Sequence, residues 1–348
     1  MTSPSPPSPP QRPRFGPRSL VLTVLVGLVV AELLLRGVWG LGNPRIVETS
    51  ARVGYRFYPG QVIAGPRGTT ERLNESGYRD DEWAASAPLR IAVCGASVSY
   101  GTGVEAEASW PQLLERELEG VDVVNLAMPG YVLGQIEPQY EDDVRPLAPD
   151  VVVLELGPYS ALPAPVRTDS ARYPLHTWIR RSALFDLVRR RADAAGFDPE
   201  RSRLAVLDPE EQVASELDRA AQARLDRLAA TIEADGAQLV LLETPILGAV
   251  LTNRQEPGVW EDWAARHPDV PRIRTVEPLR AAMGELLAEI EREGLSPERV
   301  WNRFEAPIEV EHGAASVFFR DDPLHLNEHG HRVVAGIVRD ALRDAQLW

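Results

Sequence analysis

The sequence predicts an α/β fold: a mainly parallel sheet covered by helices on both faces, preceded by one transmembrane helix. Three observations point there. Short β-rich apolar runs alternate with stretches of helical periodicity from Arg90 onward. The runs are predominantly apolar rather than alternating, as strands of a sheet covered on both faces are. An almost uninterrupted apolar segment lies ahead of them near the amino end.

Composition permits such a fold. With 348 residues, 44% hydrophobic and 25% charged, the chain has the make-up of a globular protein of one large or two ordinary domains. The single cysteine, Cys94, rules out an intramolecular disulfide and a Cys-based zinc site, so the core must supply the stability. The formal charge is -14, and all 37 basic residues are arginine. Residues 1–18 hold Arg12, Arg14 and Arg18 and no acid, which leaves -14 - 3 = -17 for the rest. A chain that acidic is a poor partner for a phosphate backbone, and no nucleic-acid partner is expected.

The elements follow in order. Residues 1–18 are rich in Pro and Ser and are expected to form a disordered, solvated tail. Leu20 to Leu35 reads LVLTVLVGLVVAELLL, and apolar character resumes after Arg36 as far as Leu41. About 22 residues at 1.5 Å each span roughly 33 Å, enough to cross a hydrocarbon layer of about 30 Å, so residues 19–41 are expected to be a membrane anchor. Glu32 and Arg36, at i,i+4 spacing, soften each other's cost there. A cleaved signal peptide, with Val29 and Ala31 at the small-residue site, is the competing reading. In either case the remainder is exported, since the three arginines before the segment favour a cytoplasmic tail and an extracytoplasmic domain. Residues 42–89 read as a linker and N-terminal extension; within them Asn74-Glu75-Ser76 would be a glycan acceptor in a eukaryotic secretory route.

Residues 90–348 carry the α/β pattern. Strands are expected at 90–94, 121–126, 151–156 and 238–243, with helices at 111–119, 135–145, 211–234, 276–293 and 328–345. The last helix places Val333, Val334, Ile337, Val338 and Leu342 on one stripe. Residues 158–209 form a long insertion containing the basic stretch TWIRRSALFDLVRRRADAA. Its arginines either attract an anionic substrate or, more simply, lie on a solvated face near a helix end.

Ligands of such sheets bind beyond the carboxyl ends of the strands, so the loops after Cys94, Leu126 and Leu156 matter most. The first strand runs into Gly95-Ala96-Ser97, a serine in a glycine-flanked turn. Far downstream stands Asp321-Asp322-Pro323-Leu324-His325-Leu326-Asn327. A carboxylate three residues before a histidine can accept its Nδ1 proton and turn Nε2 toward a nucleophile, and Asn327 reads as the N-cap of the last helix. Ser97, Asp322 and His325 are therefore the candidate catalytic residues. A metal held by His325, His329 and His331 is less simple, because His331 lies three residues before Val334 on the apolar stripe, where packing accounts for it. Neither a metal nor a cofactor is expected.

The order Ser, Asp, His is that of the α/β-hydrolases, but the turn G-A-S-V-S is not G-x-S-x-G and the acid and base are only three residues apart. From about Asn74 to the last helix the sequence instead resembles the SGNH/GDSL hydrolase superfamily, in its membrane-anchored bacterial form. IAVCGASVSYGTGV is similar to the G-D-S block with Ala96 in place of Asp, which maps the nucleophile onto Ser97. VVNLAMPGY resembles the block whose glycine N–H binds the oxyanion, mapped here onto Gly130; DDPLHLNEHGH resembles the D-x-x-H block; and LNESGYRDDEW resembles the lead-in of anchored members. The family's G-x-N-D aligns with Gly157-Pro158-Tyr159-Ser160, so the oxyanion asparagine is replaced by Tyr159, whose hydroxyl or that of Ser160 would have to stand in.

The resemblance implies a flavodoxin-like three-layer α/β/α sandwich and a serine esterase on the extracytoplasmic side of a bacterial cytoplasmic membrane. Its substrate would be a carboxylic ester, such as an O-acetylated glycan. Two alternatives keep the same residues: an O-acyltransferase, and a binding module that retained the fold and lost turnover.

Overall fold

The computed structural model describes residues 17–39, 47–50, 52–83, 87–157, 159–163, 182–194, 211–253, 259–294, 316–319 and 322–348. The chain divides into two compact units, one of residues 1–44 and 174–198, the other of 45–173 and 199–348. In the first, the apolar helix Pro17–Trp39 packs against the helix Ala183–Ala194.

The second unit is built on a five-stranded sheet in which every neighbouring pair is parallel. In chain order the strands are Leu89–Cys94, Val121–Asn125, Val151–Leu156, Gln238–Glu243 and Arg272–Arg274. In space they run second, first, third, fourth, fifth, the flavodoxin-like order whose switch point lies beside the first strand. Successive side chains of a strand point to opposite faces, and both faces are apolar here. Ala92, Cys94, Val124, Val152, Leu154 and Leu241 enter one core, with the helices Leu133–Gln139, Glu211–Ala234 and Val259–Arg266. Ile91, Val93, Val123, Val151, Val153 and Leu242 enter the other, with Trp110–Glu117, Leu247–Thr252, Val276–Ala282, Gly284–Arg292 and Glu328–Asp344. In the last helix Val334, Val338 and Leu342 are fully buried, with Val333 and Ile337 packed beside them.

Two expected helices need correction, and one strand stands where none was expected. The helix expected over 135–145 ends at Gln139, because Pro138 has no N–H to donate; the chain then loosens into a wide turn, Tyr140–Val144, and a tight one, Arg145–Leu147. The single helix expected over 276–293 is two, broken at Met283 just before Gly284, a residue that costs a helix about 1 kcal/mol. The fifth strand, Arg-Ile-Arg, has one apolar residue and no strand signature. The Asn74 triplet is no exposed acceptor either. Asn74 is buried, its side-chain oxygen accepts from the Ser76 and Tyr78 N–H groups, and its amide donates to the Asp81 carbonyl.

Residues 47–72 form two small antiparallel hairpins, Val47–Ser50 with Gly54–Phe57 and Val62–Ala64 with Thr70–Arg72. Phe57 joins the core edge-on to Tyr100, and Tyr55 edge-on to Tyr131. The segment thus reaches the carboxyl ends of the first two sheet strands.

Candidate active site

The loops after the first three strands, expected to matter most, lie side by side at the carboxyl edge of the sheet with the first in the middle. Ser97 is half-buried and opens a short helix, Ser97–Tyr100, directly after the Gly95-Ala96 turn. Glu155 lies beneath that turn, 3% exposed. Its Oε2 accepts from Ala96 N–H at 3.0 Å and Ser99 N–H at 2.8 Å, and its Oε1 from the Thr244 hydroxyl at 3.4 Å. Burial raises the Glu155 carboxyl above its usual range, and these bonds only partly oppose it. Gly95 is required by this approach, since a Cβ there would stand 2.5 Å from Glu155 Cβ and 2.6 Å from Oε2. At the other end of the helix the buried Arg79 donates to the carbonyls of Gly101 at 2.6 Å and Val104 at 2.7 Å. Acceptor oxygens at its start and guanidinium donors at its end thus tie both ends of the serine turn to buried side chains.

Asp322 and His325 lie on the strand Asp322–Leu326, which packs against the Ser97–Tyr100 helix. The segment is a bulged strand. Phe318 faces Leu326 and Phe319 faces Asp322, so Pro323, Leu324 and His325 bow out of the pairing. The bow lets Asp322 Oδ2 accept from His325 Nδ1 at 2.7 Å, while Oδ1 accepts from the N–H groups of Leu324 at 2.9 Å and His325 at 3.2 Å. Burial, the largest influence on Asp322, raises its carboxyl, but the His325 ring and the two N–H bonds outweigh it and hold the group at about 2. An ionised Asp322 places the His325 proton on Nδ1 and leaves Nε2 of the neutral ring a free acceptor. Arg67 stands 3.7 Å from the same Asp322 oxygen, its guanidinium 4.0 Å over the Phe319 ring. Asn327 caps the last helix as expected, accepting from Gly330 N–H at 3.0 Å.

The second loop is tied to the first by Leu126 N–H to the Val93 carbonyl at 2.9 Å and Met128 N–H to the Gly95 carbonyl at 3.0 Å. Gly130 is exposed with φ +80, a left-handed conformation that suits glycine. Tyr55 anchors its neighbour by donating to the Pro129 carbonyl. In the third loop Ser160 is buried and its hydroxyl oxygen accepts from Gly157 N–H at 2.9 Å, closing its own turn. Tyr159 is 46% exposed. His331 stands apart from these groups: it is fully buried, its Nδ1 accepts from Trp110 N–H at 3.2 Å, and burial, helped by the charges of Arg79 and His325, depresses it to about 3. Among the described residues no cluster of His, Cys, Asp or Glu is arranged to hold a metal ion.

A family model described as the GDSL-like lipase/acylhydrolase family matches residues 93–333, which takes in all three loops and the bulged strand. The chain belongs to this family. A search of curated proteins finds no match for this GDSL-like chain. Among solved structures it is similar to TesA, at 15% identity and TM-score 0.41, over 74% of this chain and 99% of that one. It is also similar to the acetyl xylan esterase AlAXEase, at 17% identity and TM-score 0.39, over 73% and 100%. A third is the lipase/acylhydrolase from Enterococcus faecalis, at 16% identity and TM-score 0.40, over 74% and 96%.

Three residues of the GDSL-like site escaped the sequence reading. Glu155 had a signal, as the one charge in VVVLELG, a run otherwise apolar on both faces; a buried charge needs partners, and here they are the serine turn. Arg67 and Tyr55 had none, because each acts from the N-terminal hairpins on a segment far away in sequence.

Proposed function

We propose that this GDSL-like protein is a membrane-tethered serine esterase that hydrolyses carboxylic esters, O-acetyl glycans among them. Ser97 Oγ attacks the acyl carbonyl while His325 Nε2 takes its proton, and Asp322 holds the ring. The Ser97 and Gly130 N–H groups bind the oxyanion of the tetrahedral intermediate. That intermediate expels the alcohol, which receives its proton from His325. Water, deprotonated by the same imidazole, then attacks the acyl-serine and releases the acid. The observation that carries this reading is the 2.7 Å Asp322–His325 bond on a strand packed against the helix that begins with Ser97. Tethering is supported by the Pro17–Val38 segment, whose most apolar 18-residue window has a mean hydropathy of 2.2 and no fully buried residue.

A second reading, a binding module with the same fold, is favoured by the third loop, where the family's asparagine is absent, Tyr159 is exposed and the Ser160 oxygen is engaged by Gly157. Losing one oxyanion donor costs roughly 10² to 10³ in turnover, which slows an esterase without abolishing it. A serine-directed fluorophosphonate separates the two. The esterase predicts labelling of the native protein that disappears in Ser97→Ala and His325→Ala; a folded native protein that takes no label is the binding module.

A further inference from the structure

The apolar helix Pro17–Trp39 carries one carboxylate, and the structure shows what it holds. Glu32 Oε1 accepts from Ala183 N–H at 2.7 Å, and Oε2 from the Ser182 hydroxyl at 2.9 Å and Leu184 N–H at 3.0 Å. Arg36 Nε adds a bond at 2.9 Å. Glu32 is thus the N-terminal cap of the helix Ala183–Ala194, supplied from another element, and these bonds compensate a charge that would be costly in an apolar span. Beside it Ala31 and Leu35 are half-buried, whereas Leu33, Leu34 and Val38 are exposed.

Glu32 lies seven residues before the end of its helix at Trp39, which is about 10 Å along the axis. A helix that begins at Glu32 therefore begins about that far inside the span, level with Leu33 and Leu34. Its side chains agree. Ala183 is buried, whereas Phe185 is 36% and Val188 66% exposed, an apolar edge one turn long. Arg191, exposed in the last turn, stands about one turn beyond Val188, the position in which a basic residue meets anionic headgroups.

From this geometry we infer that Ala183–Ala194 is a second membrane-contacting element, clamped to the spanning helix by Glu32, with Phe185 and Val188 in the acyl chains and its basic end at the headgroups. The occupant of its apolar edge is lipid. This rests on the tethered reading above and adds to it that part of the insertion lies in the bilayer.

The test uses the full-length protein in vesicles of equal parts phosphatidylcholine and phosphatidylglycerol, with an environment-sensitive fluorophore on Val188→Cys, or on Glu233→Cys as an exposed reference. Cys94 does not compete, because it is buried and its thiol is pushed up to about 12. The expected result is quenching of the Val188→Cys label by nitroxides on lipid acyl chains and protection from aqueous iodide, with the reverse at Glu233→Cys. Adding Glu32→Ala should return the Val188→Cys label to iodide while the protein still floats with the vesicles. A Val188→Cys label quenched by iodide like the reference, in protein that floats, overturns this inference alone. Protein that does not float overturns the tether and the inference together.

Discussion

Replacing Asp322 by asparagine keeps the shape of the acid and reverses one hydrogen bond. The asparagine oxygen can still accept from the Leu324 and His325 N–H groups, so the bow of the strand keeps its support. The other arm, 2.7 Å from His325 Nδ1 in the native protein, becomes an N–H donor. The ring must then offer a lone pair at Nδ1 and carry its proton on Nε2, where it can no longer accept one from Ser97. In serine hydrolases a wrong tautomer of this kind costs about 10⁴ in turnover, equivalent to about 5.5 kcal/mol at 1.36 kcal/mol per tenfold. The cost in stability is separate and smaller. Lowering the Asp322 carboxyl from 3.8 to about 2 corresponds to about 2 kcal/mol. A depressed carboxylate contributes that stability above the unfolded value of 3.8 and loses it as pH falls through about 2, so the variant lacks it at neutral pH. The assay is the rate of fluorophosphonate labelling, with Ser97→Ala as zero, under conditions where urea titration shows the variant fully folded. Labelling of folded Asp322→Asn at close to the native rate would refute the assignment of Asp322 as the group that orients the base.

Tyr159→Asn restores the donor type of the family at an exposed position and should raise turnover by roughly 10² to 10³; an unchanged rate would mean that the third loop does not aim residue 159 at the oxyanion. Gly95→Ala forces a methyl to within 2.5 Å of Glu155 and should cost about 1–3 kcal/mol in urea unfolding; a native midpoint would refute the close approach. His331→Asn keeps an acceptor for Trp110 N–H and removes a buried group whose titration is depressed from 6.5 to about 3. Between those values the unfolded chain takes the proton and the native one does not, so the native protein should lose up to about 1.4 kcal/mol per pH unit more than the variant on acidification. Equal slopes in urea titrations at several pH values would count against a neutral buried His331.

Much of the sheet was legible because its strands are largely apolar on both faces, the pattern of strands in a covered parallel sheet. The runs at 151–156 and 238–243 match the observed strands end to end. Arg272–Arg274 was not legible, since a short edge strand is defined by its neighbour Gln238–Glu243 and not by its own hydrophobicity. The broken helices follow the same division: Pro138 and Gly284 were visible as residues, but whether packing would override them was not.

By itself the sequence determined the family, the α/β class and the apolar N-terminal segment, and it singled out Ser97, Asp322 and His325 as candidates, because these rest on local residue type and spacing. The tertiary structure alone decided how those residues are held: Glu155 under the serine turn, Arg67 beside Asp322, Tyr55 behind Gly130, and Glu32 capping a helix some 150 residues away. Each is a contact between segments distant in the chain. Hydrogen bonds and charges act through space over a few ångströms, and a periodicity read along one segment carries no record of which other segment folding will bring that close.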